Sequence, residues 1–176
     1  MKLHWIPVFA LAFASPALAQ ADHTQHGPGS VEGIRNLYGI VKGYITKSAE
    51  QMPEEHFAFK PTPAVRSFGQ LLGHITDSHY MFCSAVLGET APASDAEKIT
   101  GKAQLLEALA KSIAYCDRAY QIADPASAQA IEFFGQSQTK LVVLAFNMGH
   151  DFEHYGNIVT YMRLKGLVPP SSQGGM

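Results

Sequence analysis

The chain has 176 residues, 47% of them hydrophobic and 16% charged, with a formal net charge of −2. That length and apolar content suit one globular domain with a sizeable core. The near-balanced charge excludes the basic footprint of a nucleic-acid binder and any long acidic tail.

Residues 1–19 read as a signal peptide. Lys2 supplies the positive start, "IPVFALAFA" a short apolar stretch, and Ala17–Ala19 a small-residue cleavage site. The apolar stretch is too short for a membrane span. A mature chain beginning at Gln20 places the protein in the periplasm or outside the cell, with no membrane attachment after cleavage. Residues 20–29, "ADHTQHGPG" with Gln20, are polar and Gly/Pro-bearing and read as a flexible leader. His23 and His26 there read as solvated side chains.

A first helix is expected from a capping Ser30 to about Gln51, because Val31, Ile34, Leu37, Tyr38, Val41, Tyr44 and Ile45 recur at helical spacing. Three prolines then break the pattern in "MPEEHFAFKPTPAVR". Ser67 and Gln70 form a capping box for a second helix reaching Leu87. A connector ending in a capping Thr100 precedes a third helix, from Lys102 to about Ile122. "AIEFF" reads as a short extended piece. The fourth helix spans about Gln138 to Lys165 and stops at Gly166, with Pro169 and Pro170 beyond. Four amphipathic helices over residues 30–170, followed by a tail at 171–176, describe an all-α four-helix bundle without internal repeats.

The two cysteines, Cys83 and Cys116, fall in the second and third helices. In an oxidising compartment such a pair forms a disulfide if the helices bring it within range; otherwise both are buried free thiols. Neither belongs to a CxxC motif, which argues against redox catalysis.

The chemistry concentrates in "NMGHDFEHYGNIVTYMRLKG". His150 and His154 stand four residues apart, about 40° from one another on the helical wheel. Val143, Phe146, Asn147, Asn157 and Tyr161 lie within about 60° of His150, so this face points into the bundle. Two imidazoles at this spacing can chelate one divalent ion, but a third ligand must come from another helix. The second helix offers His74 and His79, and periodicity does not choose between them. The small and polar neighbours of His74 suit an open ligand position. Asp151 and Glu153 lie off the histidine direction, each able to support a ligand from behind. A zincin reading of "HDFEH" fails, because Asp151 is one methylene shorter than the general-base Glu of H-E-x-x-H and few residues follow to supply a third ligand.

Three segments carry a family resemblance: "KPTPAVRSFG", "SFGQLLGHITDSHYMF" and "HDFEHYGNIVTYMRLKGLVPP". In order and spacing they resemble the DinB-like family of metal-binding four-helix bundles, over roughly residues 31–170. The resemblance implies an up-down-down-up bundle with a long crossover between the second and third helices. It implies a metal held by His74, His150 and His154, which leaves His79 as a packed or supporting histidine. The ion would be divalent, zinc or nickel first, with iron and copper also suited to three imidazoles. The resemblance also implies a homodimer. Characterised relatives include transferases and isomerases that use low-molecular-weight thiols, and this chain departs from them in its signal peptide. Two functions fit: a metal-dependent hydrolase or transferase acting on a small molecule, and a non-catalytic metal-binding or stress-related protein. For the enzyme, Asn147, Asn157, Tyr161 and Glu153 are the polar liners, with Glu153 as the proton shuttle.

Overall fold

The computed structural model describes Met1 and residues 29–174; most of the segments read from sequence as a signal peptide and a leader, with His23 and His26, lie outside the described residues. Among the described residues there are five α-helices: α1 (Ser30–Gln51), α2 (Phe68–Leu87), α3 (Lys102–Ala119), the single turn α4 (Asp124–Ser127) and α5 (Lys140–Leu164). Two short strands, β1 (Ala130–Phe133) and β2 (Gln136–Thr139), pair antiparallel between α4 and α5. Among the described residues no helix is long and apolar enough to cross a membrane.

Side-chain partners fix the direction of each long helix. His79 meets Ser112 and Cys83 meets Cys116, so α2 and α3 run parallel. His74 meets His150 and Phe82 meets Phe146, so α5 runs opposite to α2. Tyr44 stacks on Tyr155 while the start of α1 touches Asp124, so α1 runs with α5. The result is an up-down-down-up bundle whose α2–α3 connection must travel the length of the molecule.

Cys83 and Cys116 form a disulfide, with Cα atoms 5.2 Å apart, tying the two parallel helices together. Both cysteines are fully buried, and the rest of the core includes Tyr38, Phe68, Leu72, Ile75, Leu105, Tyr120, Leu144 and Ile158. Tyr38 and Tyr120 stack with ring centroids 4.0 Å apart, joining α1 to the end of α3.

The helix ends show where local reading succeeds and where distant partners replace it. The Ser67–Gln70 capping box is present in both directions. Ser30, by contrast, does not cap α1. The cap position is Gly29, and the Val31 N–H is satisfied by Asp124 Oδ1 at 2.8 Å, 93 residues away in sequence. A side chain at Gly29 would collide with that carboxylate, so glycine leaves room for it. Thr100 does not cap α3 either: Gly101 holds the position and Glu54 accepts from the Lys102 N–H at 3.2 Å.

The third helix ends at Ala119 rather than Ile122, and the extended Ala123 caps α4, which carries Pro125 in its first turn. The extended piece at "AIEF" is present as β1, but its partner strand takes Gln136–Thr139 and delays α5 to Lys140, with Thr139 as its cap. Phe134 and Gly135 form the two-residue hairpin loop, both with positive φ. Gly166 takes the left-handed conformation after α5, as its C′ position requires. Residues beyond 170 fold back: Ser171 meets the Tyr155 hydroxyl at 2.7 Å and Gln173 meets Gln51.

Candidate metal centre

His74 on α2 and His150 and His154 on α5 converge at the seam between these helices. The Nε2 of His150 lies 3.2 Å from the Nε2 of His74 and 3.0 Å from that of His154. One ligand atom from each of the three falls within 4.8 Å of the others. The i,i+4 spacing places both α5 rings on one face, and the antiparallel α2 brings His74 opposite them. Three imidazole nitrogens bound tetrahedrally at ~2.05 Å from one ion would stand ~3.3 Å apart. The two closest pairs already lie near that separation.

Burial favours the neutral form of all three rings. His150 is held down to about 3, first by desolvation and then by the neighbouring His154 and His74. His74 and His154 are lowered chiefly by desolvation as well, with Arg66 adding to the effect on His74 and His74 adding to that on His154. Neutral imidazoles whose Nε2 atoms face one point can offer the donor set that a divalent cation needs. On convergence, protonation and chemistry, the residues fit a metal.

The crossover between α2 and α3 completes the surroundings of His74. Asp77, one turn further along α2, accepts from the N–H groups of Ala96 and Glu97 at 2.9 and 3.2 Å. Gly73 makes this approach possible, since a Cβ there would overlap the Ala96 carbonyl and the Glu97 Cα. Held in this way, Glu97 sets Oε2 3.8 Å from His74 Nδ1 and Oε1 2.9 Å from Arg66 Nε. Behind His154, the Asn157 amide stands 3.4 Å from Nδ1. Its oxygen and nitrogen are interchangeable by rotation, so the amide oxygen can accept a hydrogen bond from that ring N–H.

One side of the cluster opens to a cavity of about 590 Å³ whose lining includes Lys60, Arg66, Glu97, Glu153, His154 and Asn157. That size suits a small molecule. A larger depression of about 760 Å³ lies beyond Gln70 and Glu97, and none of the three histidines lines it. On the other flank, Phe82 packs edge-on against His150 at 5.3 Å and is itself walled by Phe133 and Phe146.

His79 takes no part in the cluster. It is buried, with Nδ1 3.0 Å from Ser112 Oγ and Nε2 3.1 Å from both oxygens of Asp151. Asp151 therefore backs His79 and neither His150 nor His154. Glu153 is exposed and lines the cavity without a hydrogen bond to a histidine. Tyr161 also lines the cavity, but its hydroxyl donates to the Arg66 carbonyl at 2.8 Å. Glu97 and Arg66 escaped the sequence reading because both sit in connectors, where no periodicity aims a side chain. The one signal was Arg66 immediately before the capping Ser67.

Known proteins share this architecture. A solved DinB-like protein from Bacillus cereus superposes with a TM-score of 0.71 at 18% identity, covering 82% of this chain and 97% of its own. A conserved Enterococcus faecalis protein gives 0.65 at 17% identity, covering 78% and 98%. The Bacillus subtilis DinB-like protein YjoA gives 0.62 at 20% identity, covering 81% and 99%. In sequence alone, YjoA of Bacillus subtilis (strain 168) is 25% identical over 126 residues, 67% of this chain and 79% of YjoA. These likenesses carry the fold. A profile of the DinB family matches residues 41–175, which takes in all three clustered histidines, and the chain belongs to the DinB family.

Proposed function

We propose that the protein binds one divalent metal through His74, His150 and His154 and acts on a small molecule as a metal-dependent hydrolase or transferase outside the cytoplasm. The observation that carries this reading is the convergence of three neutral Nε2 atoms beside an open polar cavity. Three protein ligands with solvent access on the remaining side describe an exchanging site rather than a closed structural one. Zinc or nickel is the first expectation, and iron or copper also suits three imidazoles. Export rests on the N-terminal sequence, and a homodimeric state on the family resemblance.

A bound divalent cation would supply Lewis acidity to a donor atom of the small molecule. The chain's own groups do the rest. Lys60 and Arg66 offer positive charge at the cavity wall for an anionic portion of the ligand. Glu97 stands at the Nδ1 edge of His74, 3.8 Å away, and holds the Arg66 side chain in place. Glu153, exposed at the cavity, takes or gives a proton at its carboxylate.

Metal analysis of protein purified without an affinity tag tests the reading. One tightly bound ion per chain is expected, absent in His74→Ala, with helical content unchanged. A protein that stays metal-free even after addition of zinc and nickel would sink it. Metal binding without a vacant or water-exchangeable position, seen in the visible spectrum of the cobalt-substituted protein, would instead favour a non-catalytic metal-binding role.

A further inference from the structure

Among the described residues, three buried side-chain polar atoms have no hydrogen-bond partner: Tyr38 Oη, Asn147 Oδ1 and His150 Nδ1. Native proteins rarely leave such atoms unpaired, because each costs its full desolvation. Two of these atoms are complementary. A neutral imidazole whose Nε2 lone pair faces a cation carries its proton on Nδ1, so His150 Nδ1 is a donor without an acceptor. Asn147 Oδ1 is an acceptor without a donor, on a residue that is fully buried.

The orientation of the Asn147 amide follows from its other end. The Tyr120 hydroxyl donates to the Leu144 carbonyl at 2.9 Å, so its oxygen is left to accept. Asn147 Nδ2 donates to it, also at 2.9 Å. A flipped amide would set two acceptors against each other, so Oδ1 is the free end. Asn147 stands three residues before His150 on the same side of α5. Helical side chains lean toward the N-terminus, which tilts the His150 ring over the turn that carries Asn147.

The three clustered histidines differ in what stands behind them. His74 has Glu97 at its Nδ1 edge and His154 has the Asn157 amide. His150, whose Nε2 lies within 3.2 Å of the Nε2 atoms of both others, has none. Metal-ligating histidines nearly always donate their second ring N–H to an oxygen, which fixes the tautomer.

We infer that Asn147 is the positioning residue of His150: its Oδ1, which makes no direct hydrogen bond to the ring in this structure, accepts a hydrogen bond from Nδ1–H after a small side-chain adjustment or through one bridging water, and thereby keeps the His150 Nε2 lone pair turned toward His74 and His154. The Tyr38 hydroxyl, the remaining unpaired donor, stacks through its ring on Tyr120 and is tested as a competitor for the same oxygen. This inference rests on the three-histidine reading above, but its test does not depend on that reading.

Two-bond nitrogen–proton correlation spectra of the metal-free protein report the His150 tautomer directly. The wild type is expected as the Nδ1–H form. Asn147→Leu, close in volume, is expected to shift His150 to the Nε2–H form or a mixture. Asn147→Asp, which keeps the acceptor, is expected to restore Nδ1–H. In competition titrations with zinc, Asn147→Leu should bind roughly 10- to 100-fold more weakly, and Tyr38→Phe should match the wild type. Thermal melts monitored by circular dichroism confirm that each variant is folded; if Asn147→Leu does not fold, Asn147→Ala, which also removes the acceptor, is read in its place. A His150 tautomer unchanged in Asn147→Leu, or altered in Tyr38→Phe but not at position 147, would overturn the inference. Failure of every form to bind zinc would count against the metal reading alone, because the tautomer is read without metal.

Discussion

His79 on α2 faces Asp151 on α5 with Nε2 3.1 Å from both carboxylate oxygens, and neither side chain is more than 1% exposed. The Ser112 hydroxyl occupies the other ring nitrogen of His79, so the imidazole bridges α2, α3 and α5 inside the core. The two partners are not equally dispensable. His79→Ala would leave a carboxylate buried with no donor in reach, at a cost of about 3–5 kcal/mol. Asp151→Ala would leave only an unpaired ring N–H, about 1–3 kcal/mol. Urea denaturation of both single variants and the double variant checks this. The expected order is His79→Ala least stable, with the double variant above the sum of the singles. Equal losses for the two singles would refute it.

Gly73 governs how the crossover meets α2. A methyl group there has no space against the Ala96 carbonyl and the Glu97 Cα, both backbone atoms that cannot swing aside. Gly73→Ala should therefore push residues 95–97 off α2 and carry Glu97 away from His74. Overpacking of this kind costs about 1–3 kcal/mol. Proteolysis should become faster within the 88–101 connector, and the melting temperature should fall. An unchanged cleavage pattern would show that the crossover tolerates the displacement.

Much of this architecture is visible in sequence because helices announce themselves through local spacing. The Ser67–Gln70 box, the buried stripe of Val31, Tyr38, Val41 and Ile45, and the glycine stop at Gly166 need only near neighbours. The facing of His150 and His154 is likewise a property of one helix. What escaped depends on partners distant in sequence. Asp124 replaces Ser30 as the acceptor at α1, Glu54 serves α3, and Asp77 ties down Glu97 beside His74. The division of labour between Asp151 and His79 was hidden for the same reason, since an angle on one wheel says nothing of the helix opposite. His74 was separated from His79 by family resemblance and not by periodicity.

The Cys83–Cys116 disulfide closes a loop over a sequence separation of 33 that contains the whole α2–α3 crossover. Constraining an unfolded loop of that length stabilises the fold by about 3–4 kcal/mol. The Cys83→Ala, Cys116→Ala double variant should therefore melt on the order of 10 °C lower. Because both cysteines are fully buried, mild reductant should act on the native protein only slowly. Unfolding should speed reduction sharply. A double variant that melts with the wild type would mean the crossover is already constrained by Asp77 and Gly73.

In the metal-free protein the histidine cluster makes stability depend on mild acid. All three rings are held below their ordinary value, and His150 down to about 3, because burial and the neighbouring imidazoles oppose protonation. In the unfolded chain each titrates near ~6.5. Below that pH the unfolded state binds more protons than the folded state, so stability falls as pH falls. The contribution of the neutral cluster is fully present above ~6.5. It is lost progressively below that value, as the unfolded histidines protonate and the folded ones resist. Urea midpoints of the metal-free protein should thus decline from pH 7 to pH 5, a window in which ordinary carboxylates stay ionised. The slope should shrink in a His74→Gln, His150→Gln, His154→Gln triple variant. A flat wild-type profile over this range would mean that the three rings protonate as readily in the fold as in the unfolded chain, which three converging nitrogens 3.0 and 3.2 Å apart should forbid.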